Sequence, residues 1–125
     1  YLQSAIDSAR NLPIPSNALV YSLTKSSALN LLSGEIGKAS TLLNEALPMA
    51  VKLKDTRQLT HIYYLLGNIQ SNNDSINKAL TSYYKAITLA EKYRYKYYLP
   101  MIYKRLFNLF LTNELYDSSF VYQKK

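Results

Sequence analysis

His61 is the one histidine of the sequence, and its ordinary pKa lies close to neutral pH. It could act as a general base or bind a metal if a carboxylate or a second histidine lay beside it. On a helix such a partner stands three or four residues away, and none of those positions holds one. We therefore expect His61 to be a polar side chain without a catalytic or metal-binding role.

The rest of the composition also argues against catalysis. Cysteine is absent, which excludes a thiol nucleophile, a disulfide and a zinc site with Cys ligands. The 125 residues include eight Asp and Glu and three Gly. The sequence shows no glycine-rich phosphate loop, no paired carboxylates and no Ser/His/Asp set. We expect no enzymatic activity and no cofactor.

A run of tyrosines and cations is the second feature of the sequence that could bind a ligand. Residues 93–98 alternate aromatic and basic side chains before ending on two tyrosines, and residues 85–105 hold six Lys and Arg against one acid. Rings that stack on bases, beside cations that meet phosphates, are typical of single-stranded nucleic-acid binding. At a helix end the same residues complement the helix dipole and pack between helices. We favour this structural interpretation over a nucleic-acid partner.

Length and composition indicate one ordered domain. Apolar residues make up 48% of the chain, which is enough to bury a core and argues against intrinsic disorder. The net charge of +7 permits an acidic partner without identifying it. No stretch approaches 18 consecutive apolar residues, so we expect no membrane segment within the sequence.

Apolar residues recur at intervals of three and four, which is the period of a helix and not of a strand. Ser16 is a candidate N-cap, Ser33-Gly34 a helix stop, and Asp55 with Gln58 a capping box. The pattern predicts helices near 1–12, 16–32, 36–53, 56–72, 75–93, 98–112 and 115–125. Pro48 falls inside the third of these helices, where we expect a kink.

A shift of forty residues superimposes the sequence on itself. Leu23 then aligns with Tyr63 and Tyr103, and Ala46 aligns with Ala86. A fixed period over pairs of helices indicates a stack of similar units, in which each pair buries its apolar face against the next.

The middle unit resembles a tetratricopeptide repeat. It contains Tyr63-x-x-Leu66-Gly67-x-x-Gln70 followed by Ala79-x-x-x-Tyr83-x-x-Ala86, which is similar to the family's order of aromatic, Leu-Gly and small residues. The resemblance implies an all-α, right-handed α-solenoid of antiparallel helix pairs, with small residues where helices cross closely. HEAT-like repeats have a similar period and are the alternative.

The repeat phase predicts the organisation of the chain. We expect a single tetratricopeptide-like domain over 1–125, with unit 1 at 20–59, unit 2 at 60–99 and an incomplete unit 3 at 100–125. Residues 1–19 then form the second helix of a preceding unit and a linker, so we expect a fragment of a longer protein. Phe107 departs from the family pattern, because a small residue is expected there.

The resemblance also implies a binding site, because first helices of this family line a concave groove that takes up peptides or partner helices. The positions carried over share one helical face in each unit. They are Tyr21, Thr24, His61, Tyr64, Asn68, Met101, Lys104 and Asn108. Asn68 and Asn108 are forty residues apart, so we expect them on adjacent units, where an amide can bond to a peptide backbone.

These expectations converge on a non-enzymatic protein-interaction module that binds a protein or peptide. The resemblance places it in the sensor or adaptor part of a bacterial signalling or regulatory protein. One alternative is nucleic-acid binding through residues 85–105. Another is an oligomerisation scaffold that self-associates through the solenoid ends, where Phe120 and Tyr122 lie in the last predicted helix.

Overall fold

The computed structural model describes residues 16–73 and 75–112, and this part of the chain is helical without strands. Five helices follow one another: α1 is Asn17–Leu32, α2 is Ile36–Leu53, α3 is Thr56–Asn72, α4 is Ile76–Lys92 and α5 is Tyr98–Thr112. The all-α prediction is confirmed, and each of these helices ends within one residue of its predicted bounds. The helices predicted near 1–12 and 115–125, with Phe120 and Tyr122, lie outside the described residues.

The chain divides into two compact units at the bond between Ile62 and Tyr63, inside α3. The first unit includes α1, α2 and the start of α3, and the second includes the rest of α3 with α4 and α5. A right-handed solenoid of the whole chain stays a prediction. None of the described helices is both long and apolar enough to cross a bilayer.

Helix α1 shows how the sequence begins and ends a helix. The Ser16 hydroxyl accepts a hydrogen bond from the Leu19 N–H at 3.1 Å and so caps the start of α1, as predicted. At the other end Gly34 has a φ of 81°, a left-handed conformation that glycine adopts without steric cost. The Glu35 N–H then donates to the Asn30 carbonyl at 2.8 Å, which satisfies a carbonyl that the helix leaves unpaired.

The same turn bond recurs every twenty residues. The four bonds run from Glu35 to Asn30, from Asp55 to Ala50, from Ser75 to Gln70 and from Tyr95 to Ala90, at 2.8 to 3.0 Å. Lys54 and Arg94 take the left-handed position of Gly34, with φ of 54° and 60°. Helix-plus-turn segments of equal length give pairs of helices the forty-residue period of the sequence.

The start of α3 is tied to the start of α1 by one carboxylate. Asp55 Oδ1 accepts the Gln58 N–H at 3.3 Å, which is the first half of the predicted capping box. The Asp55 N–H, which a full capping box assigns to the Gln58 side chain, donates to Ala50 instead. Asp55 Oδ2 accepts Asn17 Nδ2 at 2.7 Å. Both contacts lie in the first unit, and they hold the first turns of two helices together.

In the first unit α1 packs on α2 through small and branched side chains. Leu23 and Leu43 are fully buried, and so are the alanines that α2 turns toward the core: Ala39, Ala46 and Ala50. Ser27 Oγ donates to the Ala39 carbonyl at 2.9 Å, so the buried hydroxyl is satisfied where the two helices cross. Helix α2 continues through Pro48, which is exposed and has no N–H to donate to the carbonyl of Asn44 four residues earlier.

The second unit repeats this burial pattern forty residues later. Ala79, Ala86 and Ala90 of α4 have no exposed surface, and α4 packs on α5 through residues such as Ile102 and Leu106. Tyr83 takes the position of Leu43 and is 1% exposed. A ring of this size fits because it lies against Gly67, where an added Cβ would be 2.5 Å from Tyr83 Cε1.

Gly67→Ala should destabilise the protein although alanine is the better helix former. We expect a loss of about 1–2 kcal/mol, because the buried Tyr83 ring must move to make room. Gly37→Ala is the matched control, since a Cβ at Gly37 of α2 meets nothing within 4 Å and should stabilise the helix by about 0.5–1 kcal/mol. Urea unfolding followed by circular dichroism measures both, and equal effects would contradict the close packing at Gly67.

Lys54→Gly should stabilise the protein by about 0.5–1 kcal/mol, because the left-handed turn residue is then one that adopts this conformation freely. Gly34→Ala makes the opposite change twenty residues earlier and should cost about 1 kcal/mol. Thermal unfolding of the two variants tests the pair. Shifts of the same sign would show that the two turns do not share their conformation.

Candidate functional site

A polar cleft of about 140 Å³ lies in the second unit. Helix α3 contributes one wall, α5 contributes another, and the Tyr83 side chain of α4 reaches in between them. The polar residues that line it are Asn68, Ser71, Asn72, Tyr83, Arg105, Asn108 and Thr112. Amides, hydroxyls and a guanidinium are therefore presented together, and the described lining includes no carboxylate.

Tyr83 orients the amide of Asn68. Its hydroxyl donates to Asn68 Oδ1 at 2.6 Å. Burial raises the pKa of Tyr83 well above its usual range, and the Arg105 guanidinium opposes this only in part, so the phenol keeps its proton and remains a donor. With the amide oxygen held by Tyr83, the NH₂ group of Asn68 is the part left to donate to a ligand.

Arg105 is held by a second tyrosine. Its Nε donates to the Tyr64 hydroxyl at 3.3 Å, and Tyr64 is only 7% exposed. The Tyr64 and Tyr83 rings lie 6.3 Å apart, so one aromatic pair supports both Arg105 and Asn68. The terminal nitrogens of the guanidinium keep donors for an incoming group.

Asn68 and Asn108, which the forty-residue period predicts on adjacent repeats, both line this cleft. The cleft also includes Arg105, which is not among the predicted groove residues. A signal for Arg105 was present in its spacing of three residues before Asn108 and four after Met101. Lys104, a predicted groove residue, is exposed on the same helix beside Arg105.

The other predicted groove residues have varied surroundings. Thr24 is 1% exposed and donates to the Val20 carbonyl at 2.8 Å, which leaves it almost no surface for a ligand. Tyr64 is buried as the support of Arg105. Tyr21 is half exposed, with Lys25 Nζ 6.0 Å from its ring centroid, and Met101 is half-buried.

His61 lies in the first unit, half-buried on α3. Burial lowers its pKa to about 4, and the charge of Lys25 acts in the same direction, so the imidazole is neutral at pH 7. Within residues 16–73 and 75–112, no three His, Asp or Glu side chains converge as a metal site would require.

The tyrosine-rich run forms the turn between α4 and α5. The Tyr93 and Tyr95 rings stack 5.9 Å apart, and Tyr98 meets both Tyr95 and Tyr97 edge to face. Tyr95 and Tyr98 are half-buried, as a structural role predicts, but Tyr93 and Tyr97 are exposed. Packing within the turn therefore explains the presence of Tyr95 and Tyr98 but not that of the exposed Tyr93 and Tyr97.

The chain matches no protein-family model, no curated protein and no solved structure.

Acid should destabilise the protein through His61. In the window from pH 6.5 down to about 4 the unfolded chain binds a proton at this residue and the folded chain does not, so the free energy of unfolding falls as the pH falls. His61→Gln should remove that part of the pH dependence, which urea unfolding at pH 7, 5.5 and 4 measures. Because the chain has one histidine, a proton NMR titration reads its pKa directly, and a midpoint near 6.5 would contradict the buried environment.

Proposed function

We propose that the protein is a non-enzymatic interaction module that binds a peptide or partner helix in the polar cleft. The observation that carries this proposal is the convergence of Asn68, Asn108 and Arg105 on one cleft, with Asn68 oriented by Tyr83. Two amides and a guanidinium can bind a ligand, but they supply no nucleophile or base for a reaction.

The donors of the cleft favour a ligand rich in acceptors. The NH₂ group of Asn68 suits a peptide carbonyl, and the exposed amide of Asn108 can both donate and accept along a peptide backbone. Arg105 favours an acidic group at the same place. The net charge of +7 assists the approach of such a partner through long-range attraction.

The tetratricopeptide resemblance of residues 60–99 supports the same proposal from the sequence. It rests on small residues at positions that the structure buries: Gly67 against the Tyr83 ring, and Ala79 and Ala86 in the core. We extend the proposal on this basis to a role as the sensor or adaptor part of a bacterial signalling or regulatory protein. In that role the contact with a partner protein is the signal.

Selection from a library of random twelve-residue peptides displayed on phage tests the proposal. The selected peptides should carry acidic residues, and Asn108→Ala should weaken their binding about three- to tenfold through the loss of a hydrogen bond or two. Asn44→Ala on α2 is the matched control, because it removes an exposed amide from a helix of the other unit and should leave binding unchanged.

Asn108 is the better residue for this test because Asn68 also has a structural bond. Replacing Asn68 would leave the Tyr83 hydroxyl without its acceptor and would destabilise the fold by about 1–3 kcal/mol. Circular dichroism should show unchanged helix content for both Asn108→Ala and Asn44→Ala. Selected peptides that bind both variants as tightly as the parent protein would place their site elsewhere and contradict the proposal.

A further inference from the structure

The turn between α4 and α5 has aromatic side chains that are exposed to solvent and are not part of the buried core. We call residues 92–98 the tyrosine turn. Tyr97 is 76% exposed although its ring already meets Tyr98 edge to face at 5.6 Å, and Tyr93 is 42% exposed beside its stacked neighbour Tyr95. An edge-to-face contact uses one side of a ring, so at least one face of Tyr97 is left open to solvent.

Three cations alternate with these rings in the sequence. Lys92, Arg94 and Lys96 are exposed, and no ion pair involves them among the described residues. Lys92 Nζ lies 5.4 Å from the Tyr93 ring centroid, which places a charge beside an aromatic face. Glu91 is the single acid between residues 85 and 105, so positive charge dominates this part of the sequence.

We infer that the tyrosine turn is a binding site for single-stranded nucleic acid, separate from the polar cleft. Open tyrosine faces stack on unpaired bases of any sequence, and the flanking cations bind the phosphates between them. None of the residues that line the polar cleft belongs to the turn, so this site and the peptide site are independent.

The chemistry of the turn favours a single strand over other acidic partners. The base faces of duplex DNA are stacked on one another, so a duplex would contact the cations without stacking on the Tyr97 ring. Insertion into a membrane requires apolar side chains, whereas the turn offers phenols between charges. An acidic peptide would pair with the cations but would gain nothing from the open face of the Tyr97 ring.

Fluorescence anisotropy with a labelled 20-nucleotide oligo(dT) or oligo(U) tests the inference. Binding should be measurable at low salt and should weaken as salt rises, with a log–log slope near −2 for about three phosphate contacts. Tyr97→Ala should weaken binding about tenfold, in the range of a lost stacking contact. Lys96→Gln should reduce the slope by about 0.7.

Two matched variants control for general effects. Tyr84→Ala removes a tyrosine that is 40% exposed on α4, and Lys52→Gln removes an exposed cation from α2. Both should bind the oligonucleotide like the parent protein, and circular dichroism should show native helix content for all four variants.

Several results would overturn the inference. One is that neither oligonucleotide binds at 20 mM salt, where the electrostatic screening length is about 20 Å. Another is binding that Lys96→Gln and Lys52→Gln weaken equally and that Tyr97→Ala leaves unchanged. That result would indicate diffuse charge attraction without stacking. Equal affinity for a 20-base-pair duplex, or tighter binding to vesicles containing phosphatidylserine that Tyr97→Ala abolishes, would assign the turn to a different partner.

Discussion

The close approach of Tyr83 to the backbone of α3 at Gly67 is the contact on which the second unit depends. Ring atoms of Tyr83 lie 2.5 to 2.9 Å from the position that a Cβ at residue 67 would take, so the absence of a side chain at Gly67 lets α4 pack closely against α3 while still burying a large aromatic side chain. The same position of the ring brings the Tyr83 hydroxyl to Asn68 and sets Tyr64 beside it under Arg105. One glycine therefore determines both the packing of two helices and the orientation of the groups in the polar cleft.

Regular helix ends supply the second constraint. Because four turns repeat one hydrogen bond at intervals of twenty residues, successive helices have nearly equal lengths, and the buried alanines of α2 and α4 recur in register. The helices themselves could be predicted from apolar spacing, the Ser16 and Asp55 caps and the Gly34 stop. The left-handed turns at Lys54 and Arg94 could not, because a non-glycine residue in this conformation leaves no mark in the sequence.

In the candidate site, too, some features could be predicted from the local sequence pattern and others depend on helix packing. The meeting of Asn68 with Asn108 follows from their forty-residue spacing and the helical face that they share. The burial of Thr24 and the inclusion of Arg105 instead of Lys104 depend on how far each helix is rotated about its axis. That rotation is set by side chains from neighbouring helices, which a single sequence does not reveal.

A double-mutant cycle between Gly67 and Tyr83 measures this contact most directly. The partner change is Tyr83→Leu, which introduces the residue found at the equivalent position of α2. If the ring and the glycine are coupled, adding a methyl group at Gly67 should cost little or become stabilising once the ring is gone, with an interaction energy of about 1–3 kcal/mol from urea unfolding. Additive effects of the two substitutions, within about 0.5 kcal/mol, would contradict the account.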